Sequence, residues 1–363
     1  MAAAGGHPSG FDYVRLGLAI GVLAWHTVVL SYGLTFQNEV WAGPWRGLPD
    51  LILPMFFSLS GFLIAGSLER SAGLVPYLIL RGLRILPALV VEMVITACVM
   101  GPLVSDYPLS DYLADPRLAD YFLSIFGEVK TDLPGVFVHN PLPSVVNGQF
   151  WTIPYEIKCY IALALLSLVG LYRRRGALLG CALALQAAFA VRAWFGPSLI
   201  WAGVPANVLF LCFLFGAVLY RHRNVVPARA GLAAACLLLT AGLLYLHHGP
   251  YFVAAPIAYF TVFLCLHNPR RNVLIRHGDY SYGIYLYAFP IQQLVTLIPG
   301  VETWYDNLLL ALPLTLAVAV VSWHGLERRV LALRCHIPAV RQALDLFGEQ
   351  IRARIVRGGD RQP

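Results

Sequence analysis

Ten apolar segments, each about 20 residues long, follow one another along this chain of 363 residues. A helix needs about 20 predominantly apolar residues to cross the hydrocarbon core of a bilayer. The pattern therefore predicts an all-α polytopic membrane protein with about ten transmembrane helices. Composition agrees, because 58% of the residues are hydrophobic and only 12% are charged. The segments are residues 11–32, 51–68, 85–103, 151–172, 177–195, 199–220, 229–247, 251–267, 280–299 and 305–326.

Lys and Arg residues are unevenly distributed between alternate loops. Most of the 26 lie in one set of loops or after the last apolar segment, as at Arg70, Arg173, Arg221 and Arg270. The positive-inside rule then predicts that both termini are cytoplasmic. Topology and contact with anionic lipid explain the net charge of +7 without a nucleic-acid partner.

The positions of the apolar segments and of the arginine-rich C-terminal residues favour one membrane domain at residues 1–335, followed by a basic cytoplasmic tail at residues 336–363. No basic region precedes the first apolar segment, so we expect that segment to be retained rather than cleaved as a signal peptide. Six of the seven cysteines lie in predicted spans and none lies in a loop opposite the termini. We therefore expect neither a disulfide framework nor a metal site. The predicted location is the inner (plasma) membrane, with multiple passes.

Ionisable residues occur inside the first apolar segment, and such residues usually mark function. Arg15 and His26 are eleven residues apart, so on a helix they share one face and lie roughly 16 Å apart in depth. Glu156 enters the fourth segment at a depth similar to that of His26. A neutral histidine can act as a general base while a carboxylate fixes its tautomer. We therefore expect Glu156 to orient His26.

Arg81 and Arg84 lie at i,i+3 where the third apolar segment begins. At the start of a helix, two arginines would suit the phosphates of a cytoplasmic ligand. The alternative is that both are ordinary flanking charges that set topology. We also expect Arg15 to pair with Asp12, three residues earlier. A long polar segment, residues 104–150, precedes the fourth span, and loops of this length are often functional.

Five segments resemble the integral membrane acyltransferase family 3, in order along the chain. They are VRLGLAIGVLAWHTVVL at 14–30, FFSLSGFLIA at 56–65, RGLRILPA at 81–88, WTIPYEIKCY at 151–160 and GDYSYGIYLYAFP at 278–290. The resemblance extends from residue 11 to about residue 327. It implies transfer of an acyl group, most often acetyl, from cytoplasmic acyl-CoA to a carbohydrate hydroxyl. The acceptor would belong to an exopolysaccharide, an O-antigen or a glycolipid.

The resemblance also implies roles for individual residues. His26 would be the general base or a transient acyl acceptor, with Glu156 as its partner. Acetyl-CoA would be a co-substrate, and no permanently bound cofactor is expected. The donor-binding residues would be Arg15, Arg81, Arg84, Ser60, Gly61 and Tyr282, and the acceptor-binding residues would be Trp151 and Asn147. The chain departs from the family pattern at Ala288, where a histidine is common, and around Glu327, where arginines follow.

Two other classes of protein remain open at this point. Intramembrane Arg, Glu and His also occur in transporters of a glycan or a small solute. A transporter would favour an internal repeat with paired broken helices, and none is visible by eye. The third class is a structural partner of glycan-assembly proteins. The sequence does not specify the acceptor sugar, its hydroxyl or the oligomeric state.

Overall fold

The computed structural model describes residues 8–71, 73–196 and 203–337. In these ranges the chain is helical, without a β-strand, and its one isolated bridge joins Ser105 and Val136. Each predicted apolar segment overlaps one helix of 12 or more residues, which confirms the all-α prediction. The helices are α1 Gly10–Ala42, α2 Gly47–Arg70, α3 Leu74–Ile95, α4 Ile153–Leu168, α5 Arg175–Phe195, α6 Ala206–Arg221, α7 Ala230–Tyr245, α8 Ala254–Cys265, α9 Ser281–Val295 and α10 Trp304–Ser322.

Length separates these helices into two groups. In the described ranges, five continuous helical stretches are long and apolar enough to cross a membrane. They are Gly10–Ala42, Gly47–Arg70, Leu74–Val104, Arg175–Phe195 and Trp304–His336. The other five helices, α4, α6, α7, α8 and α9, have only 12 to 16 residues. The structure supports a helical multi-pass protein, while ten full spans remain a prediction.

Helices α2 and α6 are in direct backbone contact. A β-carbon at Gly61 of α2 would overlap the carbonyl oxygen of Phe213 on α6. Likewise, a β-carbon at Gly216 would overlap the carbonyl oxygen of Ser58. Small residues allow this close approach of two helices. Gly61 thus packs against α6 on the side where a side chain would project, and its contact with the acyl donor stays a prediction.

A break in α1 shapes one end of the bundle. Gly33 has φ +78°, a left-handed conformation that interrupts the helix, and a β-carbon there would meet the carbonyl oxygen of Pro141. Glycine is the residue that adopts this conformation without a steric penalty. The last turns of α1 consequently change direction and place Gln37 and Trp41 over a cavity that also contains His26.

The basic loops meet at the end of the bundle where α1 begins, which we call the basic end. Arg221 forms an ion pair with Glu69 and donates to the carbonyl oxygen of Arg173 at 2.7 Å. The backbone NH of Gly10 donates to the carbonyl oxygen of His267 at 3.0 Å. Near this end Phe11 of α1 stacks on Phe62 of α2, with ring centroids 5.6 Å apart. The side of the membrane on which this end lies remains a prediction.

The long segment between α3 and α4 packs against the bundle. Tyr112 and Tyr121 are fully buried, and the Tyr112 hydroxyl donates to the carbonyl oxygen of Ala97 at 2.7 Å. This segment lies at the end opposite the basic end, which we call the His26 end. Its last residues lead into α4, and Gly148, Gln149, Trp151 and Thr152 form part of the cavity wall.

Candidate active site

A cavity of about 330 Å³ opens at the His26 end. The His26 ring contacts Phe289 edge to face, with centroids 5.1 Å apart and an interplanar angle of 75°. No side chain in the described ranges forms a hydrogen bond with the His26 ring. Its nitrogens can therefore serve a ligand. The cavity is otherwise lined by aliphatic and aromatic groups together with the polar side chains of Gln37, Asp50, Gln149, Thr152 and Tyr285.

Asn147 lies behind the cavity wall rather than on it. Its side chain is fully buried and donates to Glu92 Oε1 at 3.0 Å and to the Tyr121 hydroxyl. Its Oδ1 accepts a hydrogen bond of 2.8 Å from Gln149 Nε2. In this arrangement Asn147 positions Gln149, which lines the cavity. Direct contact between Asn147 and the acceptor stays a prediction.

Sequence reasoning missed Gln149, although it lies between two predicted acceptor residues. Its Nε2 also donates to the carbonyl oxygen of Leu286 at 2.7 Å, so both amide hydrogens have partners. Its Oε1 is buried and has no partner in the described part of the chain. The backbone oxygen of Gln149 accepts from the Tyr285 hydroxyl at 2.7 Å. The amide of Gln149 is thus held in one orientation, with a free acceptor atom.

Glu156 has a different partner from the one expected. It accepts a hydrogen bond from the Tyr160 hydroxyl, and Arg84 and Arg81 attract it electrostatically. In the described ranges no hydrogen bond joins Glu156 to His26. The orienting role of Glu156 therefore remains a prediction.

An ion network joins α1 and α3 to residues just before α9 and just after α10. Asp279 accepts from Arg15 at 2.5 Å and from Arg84 at 2.8 Å, and Arg84 also pairs with Glu327 at 3.0 Å. Glu327 is held in place by Ser322, whose hydroxyl donates to it at 3.0 Å. These contacts place the predicted donor residues Arg15 and Arg84 together, as expected from the sequence.

Two details of the arginine predictions are wrong. Arg15 pairs with Asp279 rather than with Asp12, which instead pairs with Arg271 at 3.4 Å. In addition, α3 begins at Leu74, so Arg81 and Arg84 lie two or more turns inside the helix. The electrostatic effect of a helix terminus fades within its first turn. The N-terminus of α3 therefore does not contribute to the phosphate binding predicted for these arginines.

The charge state of Asp279 follows from its neighbours. Burial raises the pKa of this carboxyl, but the guanidiniums of Arg15 and Arg84 outweigh burial and hold the pKa well below its ordinary value. Asp279 is therefore ionised at neutral pH. The other predicted donor residues lie close to this network. Arg81 donates to Ser67 Oγ at 3.2 Å, and Tyr282 lies 5.4 Å from the Arg84 guanidinium. Ser60 lies beside the Tyr160 hydroxyl.

A second cavity, of about 470 Å³, opens at the basic end. Asp279 forms part of its wall, so the ion network borders it directly. Four of its side chains are arginines or histidines, which suit a polyanionic ligand. Sequence reasoning missed this set, because the residues come from two distant parts of the chain. They are Arg276, His277, His324 and Arg328.

One face of α9 runs from one cavity to the other. Asp279 lies in the wall of the basic cavity, Tyr282 covers Arg84, Tyr285 lines the His26 cavity and Phe289 contacts His26. Tyr282, Tyr285 and Phe289 are spaced three and four residues apart within α9, which keeps them on one helix face, while Asp279 lies two residues before the helix. The seven residues from Tyr282 to Phe289 cover about 11 Å at about 1.5 Å each. This row connects the arginine network with His26.

Comparison with known proteins agrees with this arrangement. The model of the acyltransferase domain family (Acyl_transf_3) matches residues 9–324. The chain belongs to this acyltransferase family. The acyltransferase is 27% identical to an O-acetyl transferase of Shigella phage Sf6 over 353 residues, covering 88% of this chain and 95% of the relative. It is 28% identical to nodulation protein 10 of Rhizobium leguminosarum bv. viciae over 376 residues, covering 93% and 96% respectively. No solved structure matches it.

Proposed function

We propose that this acyltransferase transfers an acetyl group from acetyl-CoA to a carbohydrate hydroxyl. The observation that carries the proposal is the pair of cavities at opposite ends of α1 and α9, one basic and one containing His26. The name of the phage relative, O-acetyl transferase, supports acetyl as the transferred group. An exopolysaccharide, an O-antigen or a glycolipid would supply the acceptor hydroxyl.

The basic cavity would hold the phosphates of the donor. Arg276 and Arg328 line it, and each guanidinium carries five N–H donors in a fixed plane. Arg15 and Arg84 lie behind Asp279, which is part of the cavity wall, and both donate to it, while Arg84 also donates to Glu327. In this proposal Asp279 fixes the direction in which the two arginines present their remaining donors.

The His26 cavity would hold the acceptor hydroxyl and the acetyl carbonyl. An unprotonated nitrogen of His26 would take the hydroxyl proton as the acceptor oxygen forms a bond to the acetyl carbon. The carbon–sulfur bond then breaks, and CoA leaves as a thiol after receiving a proton. The alternative sequence, with a transient acyl-histidine, uses the same ring. The proposed orienting role of Glu156 requires a rearrangement, because Glu156 is bonded to Tyr160 here.

Purified protein in nanodiscs tests the proposal. Acetyl-CoA labelled in its acetyl group is added with and without a mixture of glycolipids and glycans. We expect acceptor-dependent release of CoA thiol and transfer of label to carbohydrate, both abolished in His26→Ala. A transporter would move solute across a vesicle without consuming acetyl-CoA. Solute flux without thiol release would contradict the proposal.

The proposed location is the inner (plasma) membrane, with the basic end in the cytoplasm. A cytoplasmic acyl-CoA can reach its cavity only in this orientation. Labelling of intact cells with a membrane-impermeant thiol reagent tests it, with single cysteines introduced in a background without the seven native ones. Ser110→Cys at the His26 end should react, and Arg173→Cys at the basic end should not. The reverse pattern would contradict the orientation.

A further inference from the structure

We infer that the His26 cavity selects an uncharged pyranose, which three tryptophans hold while Asp50 accepts two of its hydroxyls. The inference rests on the proposed function, since it specifies the acceptor of that reaction. Its basis is the composition of the cavity wall beyond His26. Of the seven tryptophans in the described ranges, three line this one cavity.

The three tryptophans come from different elements. Trp25 precedes His26 on α1, and Trp41 lies on the same helix beyond the break at Gly33, with the two ring systems 5.7 Å apart and inclined at 49°. Trp151 lies just before α4 and is 37% exposed. A pyranose has apolar C–H faces that pack on indole rings, and a large rigid ring offers contact area at little cost in conformational entropy. A purely aliphatic substrate would not need the polar groups that stand beside these rings.

Asp50 supplies the main polar group on the α2 side of the cavity. It lies in the first turn of α2, beside the Trp41 indole and within the field of Arg46. A carboxylate only accepts hydrogen bonds, and its two oxygens can serve two adjacent hydroxyls. Such charge-assisted hydrogen bonds are stronger than neutral ones. Gln37, one turn before Trp41, adds an amide to the same wall.

The carboxylate of Asp50 would also disfavour the binding of acidic sugars. A uronate in this cavity would bring a second negative charge close to Asp50, and like charges in a partly dry site are unfavourable. Specificity often depends on such a repulsive element as well as on attractive contacts. Asp50 would therefore both hold the hydroxyl pair and exclude carboxylated sugars. Because His26 lines the same cavity, a further hydroxyl of the held sugar lies within its reach.

A binding experiment without acyl donor tests the inference. Methyl hexopyranosides and the corresponding methyl uronates are titrated against the intact protein in nanodiscs, with saturation-transfer NMR as the readout. We expect wild type to prefer the neutral glycosides at least tenfold. Asp50→Asn should weaken their binding at least tenfold and reduce the preference over uronates. Glu39→Gln is the matched control, since Glu39 is exposed on the same end of α1 and should bind both classes like wild type.

A second variant protects the test against misfolding of Asp50→Asn. Trp151→Ala removes a partly exposed side chain from the cavity. It should weaken the binding of neutral glycosides without changing the ratio of the affinities for neutral glycosides and uronates. Each variant is compared with wild type by size-exclusion elution. Equal affinities in wild type, Asp50→Asn and Trp151→Ala would overturn the inference, as would a preference for uronates in wild type.

Acceptor kinetics then separate the inference from the proposed function. If acetyl transfer occurs but Asp50→Asn leaves the acceptor KM unchanged, the sugar site is wrong and the reaction stands. If sugars bind as expected but no acyl-CoA is consumed with any acceptor, the site stands and the proposed reaction is wrong. The donor KM serves as an internal reference, because the basic cavity lies at the other end of the bundle and should be unaffected.

Discussion

Replacing Asp279 with asparagine should destabilise the protein more than any loss of an exposed carboxylate. The change preserves shape but leaves Arg15 and Arg84 without their shared counter-ion, while their side chains are only 21% and 19% exposed. Breaking a buried ion pair from one side costs about 3–5 kcal/mol. Arg84 keeps Glu327 as a partner at 3.0 Å, so we expect the lower end, about 3 kcal/mol.

Unfolding in mixed micelles, followed by circular dichroism, measures this cost. Glu128→Gln provides the control, because it removes a carboxylate from an exposed pair with Lys130, and exposed pairs contribute little. The double variant Arg15→Gln/Asp279→Asn should lose less than the sum of the two single changes, since residues in contact couple by about 0.5–3 kcal/mol. Strict additivity, or a loss equal to that of Glu128→Gln, would refute the network as a source of stability.

The pH dependence of this effect has a defined sign. The pKa of Asp279 is depressed in the folded protein because Arg15 and Arg84 outweigh the effect of burial. Its contribution to stability is therefore complete above the ordinary carboxyl pKa of about 3.9 and is lost as the pH falls through the folded-state pKa. The difference in unfolding free energy between wild type and Asp279→Asn should stay constant from neutral pH down to about pH 5. A difference that disappears within this range would show that Asp279 is not held ionised.

Three further variants address the reaction. His26→Ala should lower acetyl transfer roughly 10²–10⁴-fold while calorimetric binding of acetyl-CoA stays close to wild type; retention of a tenth of the activity would remove His26 from the chemistry. Arg84→Ala should weaken the binding of acetyl-CoA about tenfold or more. Arg84→Lys should restore part of this affinity, because a lysine attracts phosphate but cannot form two parallel hydrogen bonds. Equal calorimetric affinity in wild type and Arg84→Ala would show that Arg84 does not bind the donor. Asn147→Ala should raise the acceptor KM through misplacement of Gln149 and leave the donor KM unchanged, so a change in the donor KM alone would contradict the positioning role.

The sequence predicted the parts of the fold that depend on local pattern. Helix α9, for example, lies inside the predicted segment 280–299 because its residues are apolar over one continuous stretch. The family also followed from short motifs, whereas the roles of His26, Arg15 and Arg84 stay predictions. What the sequence lacked was the partner of each charged group. Asp12 is three residues from Arg15, but the observed partner, Asp279, is 264 residues away.

Helix boundaries explain two further differences. The third apolar segment appeared to begin after Arg84, because charged residues lower local hydropathy. The helix nevertheless starts at Leu74, since α3 continues toward the basic end, where Asp279 and Glu327 neutralise Arg84 and Arg81 donates to Ser67. Gly33 gave no sequence signal strong enough to predict the break in α1. Without that break, Trp41 could not be assigned to the wall of the His26 cavity.

The row of side chains along α9 explains how one helix can serve two chemically different cavities. At the basic end the carboxylate of Asp279 forms ion pairs with Arg15 and Arg84. Guanidiniums of this kind also suit a phosphate. At the other end the Phe289 ring packs against the His26 ring edge to face. This contact forms no hydrogen bond, so it leaves both ring nitrogens of His26 available to a ligand. Tyr282 and Tyr285 lie between these extremes, with hydroxyls bonded to backbone oxygens of α3 and of the segment before α4. Their rings therefore keep a fixed position, so the distance between the arginine network and His26 is set by the helix itself rather than by a flexible loop.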